Sequence, residues 1–188
     1  MASGRARKPI STPPSPECSA NPNPVTAIHF ITGNVGAGKS TYAARLAEAE
    51  SAHVFAVDEW MRMLFLPDRP DPMPYEWALE RTRRINARVH VEAARIAKRG
   101  LPVILDLGYF SRQQRDETRE AMRLEGFAAE MHYLDVPKEV RWERVARRNA
   151  EKGDTFQFEV SRDAFEFCET IFEPPHAFER AGATVIVD

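Results

Sequence analysis

A glycine-rich segment near the start of the chain, residues 33–41, carries the residue types that bind a phosphate chain. It reads Gly-Asn-Val-Gly-Ala-Gly-Lys-Ser-Thr and fits the pattern G-x-x-x-x-G-K-[ST]. Its glycines let successive backbone N–H groups point at phosphates, while Lys39 supplies a cation and the Ser40 hydroxyl a ligand for Mg²⁺. The segment predicts a site for a nucleoside triphosphate with Mg²⁺. We assign the nucleotide contacts to Gly33, Asn34, Val35, Gly36, Ala37, Gly38, Lys39, Ser40 and Thr41.

The segments on either side of this loop have the pattern that phosphate binding requires. Residues 27–32 are apolar and predict a buried strand, and residues 41–50 carry apolar side chains at helical spacing. A helix after the loop places its N-terminus, with unpaired N–H groups, against the anion. The alternative is a flexible glycine turn with an incidental lysine.

Carboxylates follow the next two predicted strands. Asp58 comes after the apolar residues 53–57, and Asp106 closes the apolar residues 102–105. Ligands of open α/β sheets gather at the carboxyl ends of the strands, so we expect both side chains near the phosphate loop. We predict that Asp106 organises Mg²⁺ with Ser40 and that Asp58 accepts or orients an acceptor hydroxyl. The alternatives are a turn aspartate at position 106 and a helix cap at position 58.

A predicted helix after Pro137 carries a basic cluster. Arg144 and Arg148 are four residues apart and share one face, so both can reach a triphosphate if a lid closes. Arg141, Arg147 and Lys138 point to other faces, as on any solvated helix. The alternative for the whole cluster is a solvated face.

The remaining pattern predicts an α/β fold with a parallel sheet covered by helices on both faces. We expect a disordered Pro- and Ser-rich tail over residues 1–24 and one folded domain over residues 25–188. The predicted strands cover residues 27–32, 53–57, 102–106, 129–134 and 183–187. The predicted helices cover residues 41–50, 59–66, 75–99 and 111–125, a segment that starts near residue 137, and residues 160–172.

Composition limits the classes of partner and compartment. The net charge of −2 provides no overall basic field for a polyanion, which argues against long nucleic acid although a local patch stays open. No apolar run approaches the roughly 20 residues that span a bilayer, and no signal-peptide core follows the basic start. Cys18 and Cys168 offer no disulfide framework. We therefore expect a soluble, cytoplasmic protein.

Together these motifs resemble the small P-loop kinases often labelled as AAA-like ATP-binding proteins. That group is similar to polynucleotide 5′-hydroxyl kinases, zeta-toxin-like kinases and chloramphenicol phosphotransferase. The resemblance covers about residues 26–175. It rests on the glycine loop, Val57-Asp58-Glu59, Val103-Ile104-Leu105-Asp106, Tyr133-Leu134-Asp135-Val136-Pro137, Arg144 and Arg148-Asn149.

The resemblance implies a nucleoside-monophosphate-kinase-like sheet of five strands in the order 2-3-1-4-5, with a helical lid. It also implies that Asp58 acts on the substrate hydroxyl and that Arg144 and Arg148 are the lid arginines. Polynucleotide kinases tend to place an arginine three residues after that aspartate, where this chain has Met61 and carries Arg62 one residue later. This difference argues against recognition of nucleic-acid ends.

These patterns favour an ATP-dependent kinase, with Lys39, Asp58, Arg144 and Arg148 as catalytic residues, that phosphorylates a hydroxyl of a small metabolite or antibiotic. No Asn-Lys-x-Asp segment is present to read guanine. The alternatives are a kinase for nucleotides or polynucleotide 5′-hydroxyls, and a nucleotide-dependent switch without phosphoryl transfer. We expect the acceptor beside an apolar and aromatic set whose alternative role is core packing: Trp60, Met61, Phe65, Tyr75 and Trp77.

Overall fold

The computed structural model describes residues 26–153, 156 and 158–187, and the predicted tail lies outside them. The strands are β1 (Ile28–Thr32), β2 (His53–Ala56), β3 (Val103–Tyr109), β4 (Ala129–Asp135) and β5 (Ala183–Val187). The helices are α1 (Lys39–Glu50), α2 (Val57–Leu64), α3 (Tyr75–Ala97), α4 (Arg112–Leu124), α5 (Lys138–Glu151), α6 (Arg162–Ile171) and α7 (Ala177–Ala181). A short 3₁₀ helix covers Leu66–Asp68. Within the described residues, no helix is long and apolar enough to cross a bilayer.

The five strands form one sheet in the order β2-β3-β1-β4-β5, which confirms the predicted topology. All the strand pairs are parallel, and Ile28 of β1 lies beside Val103 of β3 and Ala129 of β4. Because β1 is central, all five of its residues are buried. The loop that follows β1 therefore starts at the carboxyl end of the central, buried strand.

Alternating side chains of the sheet build a separate apolar core on each face. Phe30 and Leu105 pack in one core with Val89 of α3, whereas Ile31 packs in the other with Ala43 of α1. Period-two alternation in strands and a single apolar stripe on each helix produce this division. The predicted cover of helices on both faces is therefore confirmed.

Two element boundaries differ from the prediction and change how the site is built. Strand β3 continues three residues past Asp106 to Tyr109, so Asp106 lies inside the strand. Helix α2 starts at Val57, directly after β2, and Ala56 occupies its N-cap position. Asp58 is therefore a residue of the first helical turn, and the interpretation of Asp58 as a helix cap is wrong.

A buried ion pair joins α4 to the short helix α7, which the sequence pattern did not predict. Arg115 is fully buried and donates to both carboxylate oxygens of Glu179, at 2.9 and 3.0 Å. It also donates to the Glu173 carbonyl at 2.9 Å. Helix α7 has only five residues, too few to be stable alone, so this pair and its packing hold it in place.

This ion pair predicts a loss of stability in acid. The hydrogen bond from Arg115 lowers the pKa of Glu179 to about 2. A carboxyl group whose pKa is lower in the folded state contributes stability above its unfolded pKa and loses it as the pH falls towards the folded pKa. We expect the free energy of unfolding, measured in urea, to fall by a few kcal/mol between pH 5 and about pH 2. Glu179→Gln should be less stable at pH 7 and lose less on acidification; an identical pH dependence in both proteins would contradict the assignment.

Candidate active site

The glycine loop between β1 and α1 is shaped by its contacts with α5. Gly36 and Gly38 have φ values of 81° and 91°, the left-handed region that favours glycine. A Cβ atom added at Gly36 would lie 2.4 Å from the Arg141 carbonyl oxygen, which is backbone and cannot move aside cheaply. The loop therefore requires glycine at position 36 both for its backbone conformation and for the close approach of α5.

We expect Gly36→Ala to weaken nucleotide binding at least about 10-fold, because strain and a backbone clash distort the phosphate cradle. Gly182→Ala is the matched control, since a Cβ atom there meets no other atom within 4 Å. Titration calorimetry with a non-hydrolysable ATP analogue measures both variants. Equal affinities would show that the loop tolerates the added methyl group.

Lys39 and Ser40 open helix α1, so both residues lie where the N-terminal amides of the helix converge. The Lys39 ammonium donates to the Asn34 carbonyl at 3.4 Å, which folds the side chain back over the loop. Ser40 Oγ donates to Asp106 Oδ2 at 2.9 Å, across the gap between α1 and β3. The phosphate loop and the first carboxylate are therefore joined directly.

The Ser40 and Asp106 oxygens have the separation expected of two ligands of one Mg²⁺ ion. Neighbouring ligands of an octahedral ion with bonds of 2.0–2.1 Å lie about 2.9 Å apart, close to the 2.9 Å found here. Burial raises the pKa of Asp106, while Lys39 and the Ser40 hydroxyl oppose that shift. A divalent cation at this position would stabilise the charged form of the buried Asp106 carboxylate, and the Ser40 hydroxyl oxygen would be a second ligand.

Asp58 stands in the same electrostatic environment as Asp106. The side chain is open to the cleft, yet protein atoms surround it on most sides, and this partial removal of water is the main reason that its pKa is raised. The charge of Asp106 raises the pKa further, whereas Lys39 and Arg148 lower it. The structure thus brings together four residues that lie apart in the sequence.

Helix α5 presents Arg144 and Arg148 to this group. Arg144 Nη1 donates to the Ala37 carbonyl of the glycine loop at 3.3 Å. Arg148 is half-buried, and its Nε has no hydrogen-bond partner among the residues described. Burial lowers the pKa of Arg148, and the charge of Asp58 opposes this shift. A guanidinium N–H without a protein partner, beside a carboxylate, suits contact with a ligand oxygen.

Arg141 is not solvated, contrary to the prediction for the remaining basic residues of this helix. It is buried and donates to both oxygens of Glu169 of α6, at 2.7 and 2.9 Å. It also donates to the carbonyls of Val35 and Val136, at 3.2 and 2.9 Å. These bonds attach α5 to the glycine loop and to α6.

Two hydrogen bonds join the ends of the connection between α5 and α6. Asn149 Nδ2 donates to the Val160 carbonyl at 2.8 Å, and Val160 N donates to Asn149 Oδ1 at 3.3 Å. Residues 154, 155 and 157 of this connection lie outside the described residues. The Asn149 amide therefore joins the last turn of α5 to the residue that precedes the N-cap of α6.

We expect Arg148→Ala and Arg144→Ala to lower kcat by up to about 10³-fold with little change in nucleotide affinity, because an arginine that contacts the transferring group acts mainly in the transition state. Arg147→Ala is the control: that side chain is exposed and lies about 100° around the helix from Arg148. Steady-state kinetics on the three variants checks this. Similar losses at all three positions would indicate a diffuse basic field.

The glycine loop opens into a single cleft of about 1630 Å³. Ligand pockets usually measure about 300–1,000 Å³, so this space accommodates a nucleotide and a second molecule. One wall of the cleft, called the polar wall below, is formed by α3 and α4, whose polar side chains lie beside the apolar Ala78, Leu79 and Ala87. Its residues include Thr82, Arg83, Asn86, His90, Gln113 and Glu117.

This polar wall replaces most of the apolar set that we expected around the acceptor. Of that set, Tyr75 lines the cleft, where it contacts Phe167 at a ring distance of 5.3 Å. Met61 is buried in the core, and three others pack against it: Trp60, Phe65 and Trp77. The prediction of an aromatic acceptor site was therefore wrong for four of the five residues.

Asn86 is the most informative residue that the sequence reasoning missed. Its Oδ1 is buried and lacks a hydrogen-bond partner within the described part of the chain. A nearby side chain, His90, donates to or accepts from Thr118 Oγ1 at 3.0 Å. The four-residue spacing of Thr82, Asn86 and His90 forms a polar stripe on α3, a signal that the sequence contains.

Comparison with solved structures finds the same fold in several proteins named as kinases. A gluconokinase from Sinorhizobium meliloti 1021 superposes with a TM-score of 0.61 at 16% identity, covering 87% of this chain and 83% of that one. A sugar kinase from Janibacter sp. HTCC2649 gives 0.60 at 18%, with 87% and 84% covered. The APS kinase of Mycobacterium tuberculosis, solved with AMPPNP and APS, gives 0.51 at 21%, with 69% and 74% covered.

At these identities the structural likeness establishes the fold. A comparison with curated protein sequences gives no significant match. A family model, by contrast, matches residues 28–175, which is most of the chain and includes the glycine loop, both carboxylates and the α5 arginines. The chain therefore belongs to the AAA domain family AAA_33.

Proposed function

We propose that this protein is a kinase that transfers the γ-phosphoryl group of ATP to a hydroxyl group of a small polar molecule. The observation that carries the proposal is the meeting of Lys39, the Ser40–Asp106 pair and Asp58 at one end of a cleft that continues to a polar wall. Phosphoryl transfer needs positioning and charge stabilisation more than covalent chemistry, and these residues supply both.

The nucleotide half of the mechanism follows from the loop and α1. The N–H groups of residues 36–41 and the Lys39 ammonium would hold the β- and γ-phosphates. Ser40 and Asp106 would hold Mg²⁺, which when bound offsets negative charge on those phosphates. Arg148 and Arg144 would contact the γ-phosphoryl oxygens as charge redistributes during transfer.

The acceptor half follows from Asp58 and the polar wall. The raised pKa of Asp58 makes it a stronger base than an ordinary carboxylate, so it can take the proton of an acceptor hydroxyl as the oxygen attacks the γ-phosphorus. The Asn86 oxygen without a partner would accept a hydrogen bond from the acceptor, and Arg83 and Glu117 add groups of both charges. Such a wall fits a molecule with several hydroxyl or other polar groups better than a flat apolar one.

Structural neighbours support a small acceptor. Two of these neighbours are named gluconokinase and sugar kinase, and the superposition with each covers more than four-fifths of this chain. The APS kinase was solved with a nucleotide analogue and a small substrate together. Room for two ligands in the cleft of this chain agrees with a reaction of the same kind.

An ADP-release screen tests the proposal. Purified protein with MgATP is supplied with sugars and sugar acids, nucleosides, hydroxylated antibiotics and 5′-hydroxyl oligonucleotides in separate reactions, with Lys39→Ala as the control. We expect ADP release that depends on one class of small polar acceptor and a phosphorylated product detected by mass spectrometry. Release only with oligonucleotide ends would favour the polynucleotide kinase. Tight ATP binding without acceptor-dependent release in any reaction would favour a nucleotide-dependent switch.

A further inference from the structure

Two buried histidines form a cluster with a glutamate on neighbouring strands, and none of the three lines the cleft. His29 of β1 and His132 of β4 are only 4% and 6% exposed, and His29 Nδ1 lies 2.9 Å from His132 Nε2. Glu130 is the residue opposite His29 in the β1–β4 register, and its Oε2 lies 3.8 Å from His29 Nδ1. We propose that His29, His132 and Glu130 bind a divalent transition-metal ion of the Zn²⁺ type.

The donor types and spacing fit such an ion. The three donor atoms lie within 4.8 Å of one another. Donors around a tetrahedral Zn²⁺ with bonds of 2.0–2.1 Å are about 3.3 Å apart, so the two nitrogens need to separate slightly and the Glu130 oxygen needs to move closer to both of them. The Glu130 side chain is 67% exposed, which lets it make that movement and leaves a fourth position open to water.

The outer nitrogens of both histidines are already held by partners from α1. His29 Nε2 lies 2.8 Å from Glu50 Oε2, and His132 Nδ1 lies 2.8 Å from the Tyr42 hydroxyl. Histidines that bind metals typically donate their other ring N–H to a carboxylate or a similar acceptor, which fixes the ring and its tautomer. The cluster therefore contains both the ligands and the supports of a His₂-carboxylate site.

The same contacts can also form a chain of hydrogen bonds without an ion. In that chain Tyr42 donates to His132 Nδ1, His132 Nε2 donates to His29 Nδ1, and His29 Nε2 donates to Glu50. With the ion bound to His132 Nε2, the ring proton is on Nδ1 and donates a hydrogen bond to the Tyr42 oxygen. His132 changes tautomer, and the cluster neither gains nor loses a proton. Glu130 takes part only in the metal site, and this difference makes it the residue to test.

The ligand set also separates this site from the one beside the glycine loop. Two imidazoles and one carboxylate favour Zn²⁺ and related ions, whereas Mg²⁺ prefers oxygen ligands such as those of Ser40 and Asp106. Excess Mg²⁺ in a Zn²⁺ titration should therefore compete for the cleft more than for the histidine cluster.

The experiment uses the full chain without a polyhistidine tag, stripped with EDTA and titrated with Zn²⁺ by calorimetry in millimolar Mg²⁺. We expect one ion per chain, and a Co²⁺ complex with visible absorption bands. Glu130→Gln should lower the Zn²⁺ affinity at least about 10-fold, while its hydrogen-bond chain and its Tm without Zn²⁺ stay unchanged. Glu48→Gln, an exposed carboxylate on α1, is the matched control and should bind Zn²⁺ like the parent.

Three results would overturn the proposal. One is the absence of Zn²⁺ binding to the folded parent protein, and another is equal affinity in the parent and in Glu130→Gln. The third is loss of Zn²⁺ binding in Asp106→Asn, because it would place the ion in the cleft. A rise in Tm with Zn²⁺ in the parent that is smaller in Glu130→Gln would support the site independently, since a ligand that binds only the folded state stabilises it.

Discussion

Replacing Lys39 with alanine should lower phosphoryl transfer by about 10²- to 10³-fold or more, the largest effect that we expect from a single side chain. Lys39 is the first residue of helix α1, and the Asn34 carbonyl holds its ammonium over the glycine loop, where it would face a bound phosphate chain. Removing one preorganised donor from a charge-stabilising site costs about 2.7–4 kcal/mol of transition-state stabilisation in other enzymes. Initial rates of ADP production and calorimetric ATP affinities measure the two parts of the loss.

Lys98→Ala is the control for this change. Lys98 is an exposed lysine that directly follows α3 and pairs with Glu125. Its substitution removes the same charge as Lys39→Ala at a position that does not line the cleft. We expect its rates to match those of the parent. If Lys39→Ala kept activity within a few-fold of the parent, the assignment of the phosphate loop would be rejected.

The second large effect concerns the two carboxylates, because replacing Asp106 and replacing Asp58 should impair different steps. Asp106→Asn should weaken MgATP binding and require more Mg²⁺ for the same rate, because Asp106 shares a hydrogen bond with Ser40 in the predicted metal position. Asp58→Asn should keep its MgATP affinity and lose acceptor-dependent turnover by about 10²-fold or more, the usual size of a general-base contribution. Mg²⁺ titrations and acceptor kinetics on both variants separate the two roles.

The pH dependence of the rate provides a check on Asp58. Its pKa is raised by the partial removal of water and by Asp106, so protonation removes the base at a higher pH than for an ordinary aspartate. The rate of the parent should therefore fall as the pH drops through that raised pKa. The residual rate of Asp58→Asn should be flat over the same range. Equal loss of MgATP binding in both aspartate variants would reject the division of labour.

The sequence was sufficient to predict that the residues of the candidate site lie near one another, because each part has a local signal. The glycine loop has a fixed pattern, and the apolar runs before Asp58 and Asp106 are strands whose ends meet in a parallel sheet. The sheet rule brings together residues that lie up to 67 positions apart, from Lys39 to Asp106. No side-chain contact had to be known for that step.

Other residues could not be assigned because their partners come from distant segments. The role of Arg141 depends on Glu169, 28 residues away, and neither residue has a pattern that connects them. Hydrophobicity alone could not separate Trp77, which packs on the core, from Tyr75, which faces the cleft. Helix α7 has five residues, fewer than the roughly 11–18 over which a helical pattern can be recognised.

The attachment of the glycine loop to α6 has a consequence for how two ligands share the cleft. Glu169 accepts from Arg141 and also from Asn34 Nδ2, at 2.7 and 2.5 Å, so it contacts α5 and the loop together. The neighbouring Phe167 and Cys168 line the cleft on the same helix. If the proposed nucleotide shifts the loop, Glu169 would pass that shift to α6, and the proposed acceptor would bind α6 with a different affinity. Thermodynamic reciprocity then requires that each ligand change the affinity of the other by the same factor.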